Sequence, residues 1–300
     1  MVIKHIVISG GGPTGLISYG ALKALSEGGV WNLDNIETMV ASSIGGFIAA
    51  CISMGYSWKD LDDYLIKRPW DKAFSGIKTD LLEVMYNKGV DGENVFNICM
   101  SPLLRGRDLQ EDITLKQLYE YNKINLCFTA CELNSSNRFA LEIFSHSTHP
   151  ELTLTKALAC TAAFPFMFKP VTIEEKCYLD GGVLCNFPLQ PCLDIDGINS
   201  KEILAIRNTY ENIEHIPVTS TTGFLDYARV IIRKTHKSLD SSSSEEYDID
   251  NIISFDCSEC SDYGMWFQCI GDKELREKLV NRGIVETEEW LSLRRQDEAV

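Results

Sequence analysis

A short apolar run, Ile36 to Ala41, breaks off at Ser42-Ser43-Ile44-Gly45-Gly46, and the next apolar residues, Phe47, Ile48, Cys51 and Ile52, recur at helical spacing. This strand-to-helix junction constrains the chain more than any other segment. A strand that turns directly into a helix belongs to an alternating α/β architecture. A serine at so sharp a corner is pushed outward with its hydroxyl exposed, and the free amides of the helix N-terminus point at whatever that hydroxyl meets. Ala41 and Gly45, two residues before and two after Ser43, are small enough for strand and helix to pass closely. The pattern is G-x-S-x-G with alanine in the first glycine's place. Ser42 has Val40 and Ile44 at the equivalent positions, so the spacing selects Ser43. Serine also caps helices for purely structural reasons, and the junction by itself leaves both roles open.

A second junction has the same form. Ile6-Val7-Ile8-Ser9 reads as a strand, Gly10-Gly11-Gly12-Pro13-Thr14-Gly15 as a loop, and Leu16, Tyr19, Leu22 and Leu25 as one face of a helix. Successive glycines leave backbone amides uncovered, and the helix N-terminus adds positive potential. Such a loop suits a phosphate or the oxyanion of a tetrahedral intermediate; it is also compatible with a turn that binds nothing. The spacing Gly10-x-Gly12-x-x-Gly15 fits a dinucleotide fingerprint, but that motif wants an acidic residue ending the next strand. Asp34 and Glu37 lie near that strand's start, and its end is Ala41-Ser42-Ser43. The third segment is Tyr178-Leu179-Asp180-Gly181-Gly182-Val183. Asp-Gly commonly makes a hairpin turn. If Asp180 instead faces Ser43, it can take the hydroxyl proton directly.

These three pieces, in this order, resemble the patatin-like phospholipase family: a glycine-rich oxyanion loop after the first strand, a G-x-S-x-G elbow soon after, and a downstream D-G-G. They read Gly10-Gly11-Gly12-Pro13-Thr14-Gly15, Ala41-Ser42-Ser43-Ile44-Gly45 and Asp180-Gly181-Gly182 here. Thr114 to Tyr119 looks like the family's helix before a central strand, and Ala157 to Pro165 like its A-x-x-A-S-x-A-x-P segment. The resemblance covers Lys4 to Pro188 well. It implies a three-layer α/β/α fold with a mostly parallel central sheet, and a serine acyl hydrolase acting on fatty-acyl esters of lipids. Ser43 would be the nucleophile and Asp180 the base, ionised with an ordinary carboxylate pKa. The amides of Gly10, Gly11, Gly12 and Ile44 would hold the oxyanion, and no metal or cofactor is called for. Two positions depart from the pattern. Ala41 adds a methyl at a close-packed point, and Thr14 stands where many members carry Lys or Arg, which removes a cation from the oxyanion site. The alternative is an inactive patatin-like protein that binds lipid or nucleotide.

Alternating strand and helix signals run from residue 4 to about 210. Strands are expected at Ile3–Ser9, Glu37–Ala41, Leu126–Cys131, Phe139–Ser145 and Ile203–Arg207, and helices at 16–27, 44–54, 58–67, 79–86, 92–104, 114–120 and 153–160. In such a sheet the turns after the first two strands meet at the strands' C-terminal edge. We expect one domain over 1–300: a core from about 4 to 210, and a helical cap from 211 to 300 that includes a flexible serine-rich, acidic stretch, 238–250. Thr222 to Leu239 reads as a basic amphipathic helix, with Phe224, Leu225, Ala228, Ile231 and Ile232 beside Arg229, Arg233, Lys234 and Lys237. It either packs on the domain or makes a peripheral membrane contact.

The net charge of −15 argues against nucleic acid. Eleven cysteines without a disulfide pattern, several inside apolar runs, fit a reducing compartment. With the first strand starting almost at Met1, no signal peptide is expected, and cytoplasmic placement follows. Cys257-x-x-Cys260 has no second pair with which to complete a zinc site. None of the five histidines, His215 and His236 included, sits in a context that fixes an imidazole. A serine–aspartate dyad is therefore expected rather than a triad.

Overall fold

The computed structural model describes residues 2–77, 80–210, 218–239, 249–260 and 263–297. Eight strands among them form one sheet: β1 (His5–Ile8), β2 (Thr38–Ser42), β3 (Asn125–Glu132), β4 (Ala140–Phe144), β5 (Val171–Ile173), β6 (Lys176–Asp180), β7 (Ile203–Thr209) and β8 (Ile252–Asp256). The helices are α1 (Gly15–Glu27), α2 (Ile44–Ser53), α3 (Trp58–Asp62), α4 (Trp70–Ala73), α5 (Leu81–Asn87), α6 (Gly92–Arg105), α7 (Leu115–Asn122), α8 (Leu154–Thr161), α9 (Leu189–Leu193), α10 (Phe224–Leu239), α11 (Tyr263–Gly271) and α12 (Lys273–Asp297). The segment expected as one helix over 58–67 is α3 followed directly by a π-turn at Asp63–Lys67.

The strands run in the order β5-β6-β3-β2-β1-β7-β8, with β4 also on β3. Strands β3, β2, β1, β7 and β8 run parallel to one another. Their side chains alternate between two cores, as period-two geometry requires. Ile6, Ile8, Met39, Ala41, Leu126, Phe128, Leu204 and Ile206 join the larger core. Val7, Val40, Cys127, Ile203 and Ala205 join the smaller one with Leu189 and Cys192 of α9. Helices thus cover both faces, unequally. The three layers expected from the sequence are present, with most of the helical mass on one side.

β3 explains why the site forms where it does. A strand has two edges. β2 pairs with Asn125 to Thr129, β6 with Ala130 to Glu132, and β4 with Phe128 to Glu132. Because β4 overlaps both, β2 and β6 must share the other edge. They approach it head to head, β2 parallel and β6 antiparallel, ending at Ser42 opposite Thr129 and at Asp180 opposite Ala130. The last residue of β6 and the first residue after β2 are thereby set side by side. Asp180 is accordingly a strand end leading into a 3₁₀ turn at Gly181–Val183, not the corner of a hairpin.

The C-terminal segment does more than cap the core. β8 extends the sheet beside β7, and α12 lies along α1. α1 and α12 touch through glycine: a Cβ on Gly20 would collide with the Val280 carbonyl, and one on Gly283 with the Ile17 carbonyl. The expected mobile stretch falls largely at 240–248, outside the described residues, as does His215.

In an exposed helix Gly→Ala gains about 1 kcal/mol from propensity. At Gly283 the added methyl meets backbone that cannot yield, and such overpacking costs about 1–3 kcal/mol. Gly283→Ala is therefore expected to lower, not raise, the midpoint of urea unfolding. An unchanged or higher midpoint would mean the two helices are not in glycine-mediated contact.

Candidate active site

Ser43 closes β2 and opens α2 with φ 53° and ψ −128°, a positive φ that costs a non-glycine residue about 1–3 kcal/mol. Its side chain does not cap the helix. The Ser43 hydroxyl instead donates to Asp180 Oδ2 at 2.6 Å. The Ser43 N–H donates to Thr161 Oγ1 at 2.9 Å, and the Thr161 hydroxyl passes the chain on to the Thr129 carbonyl at 2.6 Å. The corner is thus tied to the end of α8 and to β3. Gly45 must be glycine: a Cβ there would stand 2.7 Å from the carbonyls of Ile8 and Ser9. Ala41 is buried between β1 and β3 and its φ is not positive, so its methyl is accommodated. Ser42 faces away, with a buried hydroxyl that has no hydrogen-bond partner among the described residues.

Asp180 is fully enclosed, 1% exposed. The Gly182 N–H donates to Oδ1 at 2.6 Å and Ser43 to Oδ2, so both oxygens are occupied. Burial dominates these two bonds and pushes the carboxyl up to about 7. The expectation of an ordinary carboxylate is therefore corrected. Loss of water costs the charged form more than two hydrogen bonds return. Gly181 lies so close to Thr129 that a side chain would strike the Thr129 carbonyl.

The glycine loop runs past Ser43 on the side of β1. A Cβ on Gly10 would lie 3.0 Å from Ser43 Cβ and 2.6 Å from Asn186 Oδ1. The Gly10 N–H donates to the Asn186 carbonyl at 2.9 Å, which removes Gly10 from the expected oxyanion donors. The N–H groups of Gly11, Gly12 and Ile44 have no acceptor among the described residues. A Cβ on Gly15 would meet Ile44 Cγ1 at 2.6 Å, so this glycine lets the N-termini of α1 and α2 come together. Trp266 of α11 packs directly on Gly12, and its ring lies 6.2 Å from that of Phe164. Thr14 is no vacant cation position. It is buried, and its hydroxyl donates to the Gly11 carbonyl at 3.1 Å. An arginine there would have to displace that contact.

The aromatic residues ahead of Asp180, the histidines and the cysteines are dispersed. Phe166 is 49% exposed with φ 69°, stacked edge-on against Phe224 of α10, whereas Phe168 packs at Gly92. His5 is buried at the far end of β1, and His146 stacks on Tyr119 and pairs with Asn125. The side chain of His236 lies outside the described residues. Cys257 and Cys260 are both buried free thiols. Among the described residues no group of three or more His, Cys, Asp or Glu is placed to hold a metal ion. Nor is any helix among them long and apolar enough to cross a membrane. Thr161, Asn186, Asn208 and Tyr210 were not singled out from the sequence. Only Thr161 had a local signal, at the serine of the A-x-x-A-S-x-A-x-P pattern.

The family model described as patatin-like phospholipase matches residues 6–193, and the chain belongs to that family. The "Probable lipid hydrolase 463L" of Invertebrate iridescent virus 6 is 27% identical over 193 residues, 62% of each chain. The "Uncharacterized protein R571" of Acanthamoeba polyphaga mimivirus is 25% identical over 187 residues, 62% of this chain and 60% of that protein. The match thus spans about three-fifths of either relative. Among solved structures, VipD from Legionella pneumophila superposes with a TM-score of 0.56 at 17% identity, covering 97% of this chain and 67% of VipD. That likeness speaks for the fold.

The raised carboxyl makes a stability prediction. A group with a folded pKa near 7 against an ordinary 3.8 binds more protons folded than unfolded between those values. Stability therefore falls as pH rises from about 4 to 7, by on the order of 4 kcal/mol. Asp180→Asn keeps the shape without the charge. It is expected to melt above wild type at pH 8, with the gap shrinking to less than half by pH 5. A variant that melts below wild type at pH 8 would contradict the buried, strained carboxylate.

Proposed function

We infer that this protein is a serine acyl hydrolase that cleaves fatty-acyl esters of lipids, of the phospholipase A or lysophospholipase type. The observation that carries the reading is the 2.6 Å bond from Ser43 Oγ to a buried Asp180, on an elbow that holds Ser43 at positive φ. Family membership and the lipid hydrolase name of a viral relative support it from outside the geometry.

The chemistry follows from the parts. Asp180, in its ionised form, takes the hydroxyl proton as Ser43 Oγ attacks the ester carbonyl carbon. The same burial that raises its pKa makes it a stronger base than a surface carboxylate. The carbonyl oxygen becomes an oxyanion, received by the amides of Gly11, Gly12 and Ile44. The tetrahedral intermediate collapses, the alkoxide of the leaving alcohol takes the proton back from Asp180, and an acyl-Ser43 ester remains. Water then gives its proton to Asp180 and attacks that ester. A second tetrahedral collapse releases the fatty acid and returns the proton to Ser43. Serine, one carboxylate and backbone amides suffice for every proton moved.

A lipid-facing surface belongs to the same reading. On α10 Ala228 is buried, whereas Phe224, Tyr227 and Ile231 are 67%, 45% and 46% exposed. Spaced three and four apart, they form one stripe on the helix, and Phe224 continues it to exposed Phe166, fourteen residues before Asp180 in the chain. Exposed aromatics beside a basic sequence in an acidic protein suit a bilayer surface with anionic headgroups.

Two tests follow. Incubated with mixed phospholipid and lysophospholipid, wild type should release fatty acid and take a fluorophosphonate label on Ser43. Ser43→Ala should do neither, Ser42→Ala should do both, and Asp180→Asn should lose at least about a hundredfold in rate. A label that survives Ser43→Ala would overturn the assignment. For the surface, the combined change Phe224→Ser, Tyr227→Ser and Ile231→Ser should weaken vesicle binding at least about tenfold, since burying three such side chains is worth several kcal/mol. Turnover of a soluble short-chain ester should stay within about twofold. Equal vesicle binding would confine α10 to a structural role.

A further inference from the structure

The geometry points to Thr14, Asn208 and Tyr210 as positioning residues that aim the oxyanion-hole amides, a role that rests on the hydrolase reading above. A trans peptide is planar, and its C=O and N–H point in opposite directions. Whatever fixes the carbonyl of one residue therefore fixes the N–H of the next. The Gly11 N–H shares its peptide with the Gly10 carbonyl, and the Gly12 N–H with the Gly11 carbonyl. Both carbonyls are held from behind. Gly10 O accepts from Asn208 Nδ2 at 3.4 Å and from Asn186 Nδ2 at 3.5 Å. Gly11 O accepts from the Thr14 hydroxyl at 3.1 Å and from the Tyr210 hydroxyl at 3.4 Å.

The topology explains how these side chains reach the loop. β1 ends at Ile8, opposite Ile206, while β7 runs on to Thr209. The surplus end of β7 forms a wall beside the glycines. Its register is pinned where the Asn208 N–H donates to Ser9 Oγ at 2.8 Å. From that wall Asn208 Nδ2, whose two hydrogens are shared among three acceptors, also donates to Thr14 Oγ1 at 3.1 Å and to Ser18 Oγ at 3.2 Å, while Tyr210 OH lies 3.2 Å from Thr14 Oγ1. Asn208, Thr14 and the Gly11 carbonyl thus form one donor chain. Each bond in such a chain polarises the next. A carbonyl that accepts two hydrogen bonds leaves its own peptide N–H the better donor. Asn208, Thr14 and Ser18 are all buried, so water does not compete for these bonds.

Thr14 is thereby given a function where the family pattern often places a cation. The hole is held by dipoles oriented through a buried network, not by a formal charge. A preorganised dipole needs no reorganisation when charge develops, and its value is greatest in a dry site.

The test compares Thr14→Val, Thr14→Ser and Tyr210→Phe with wild type on a soluble short-chain ester, alongside thermal melting. The probe of the hole is a trifluoromethyl ketone, whose carbonyl adds Ser43 Oγ reversibly to form a tetrahedral oxyanion. Thr14→Val should lower kcat roughly tenfold to a hundredfold with KM nearly unchanged, because the contact matters mainly in the transition state. Its ketone inhibition constant should rise by a similar factor. Tyr210→Phe should act in the same direction and less strongly. Thr14→Ser, which restores the hydroxyl, should return kcat to within about threefold of wild type, and this rescue separates hydroxyl chemistry from packing. The proposal is overturned if Thr14→Val keeps wild-type kcat and ketone affinity. It is also overturned if Thr14→Ser is as impaired as Thr14→Val, or if the loss appears only in KM or only in the melting point. Failure of the underlying reading shows differently: wild type itself then turns over no ester and binds no ketone.

Discussion

One buried hydrogen bond, from Ser43 to Asp180, governs most of the architecture around it. It can form because two strands meet head to head on one edge of β3, which sets the last residue of β6 beside the first residue after β2. It is costly to hold. The serine sits at positive φ, and the carboxylate has lost its water. Each cost is of the order of a few kcal/mol, against a net stability of roughly 5–15 kcal/mol for a typical domain. The surroundings accordingly leave neither group room to relax. Thr161 anchors the serine's own amide, Gly182 fixes one carboxylate oxygen, and Gly45 lets the elbow press against β1.

In the proposed reaction the carboxylate would move protons and the glycine loop would hold the oxyanion, each through a different physical effect. Burial tunes Asp180, so the hydrophobic core beneath the sheet edge contributes directly to its basicity. In the same proposal the loop would contribute oriented dipoles, and Trp266 packs on Gly12 beside them. Both effects would be strongest at low dielectric, and Trp266 of the C-terminal segment packs on the glycine loop near groups that come from the first 180 residues.

Much of this was legible in the sequence, and the parts that were not have physical causes. Ser43 could be chosen over Ser42 because small residues flank it at a fixed spacing, and that spacing is local. Strands β1, β2, β3, β4 and β7 announced themselves by apolar runs. β5 and β6 did not: they are three and five residues long, antiparallel, interrupted by Glu174-Glu175, and β6 ends in an Asp-Gly pair that also spells a turn. The carboxyl's raised pKa was invisible because desolvation is created by residues distant in the chain. Gly10 could not be told from Gly11 and Gly12, since what distinguishes it is the Asn186 carbonyl, 176 positions away. Thr14 looked like a lost cation, and burial against β7 shows it to be a hydrogen-bonding element. On α10 the amphipathic pattern was evident, but a pattern alone does not say which apolar residues a fold leaves uncovered.

A desolvated Asp180 carboxyl bonded to Ser43 underlies the rest of the site. Carbon-13 NMR of the protein labelled at aspartate side-chain carboxyls measures it directly, with the resonance assigned by its loss in Asp180→Asn. A titration midpoint near 7 that shifts in Ser43→Ala is the expected result. A midpoint near 4 that is indifferent to Ser43→Ala would contradict it.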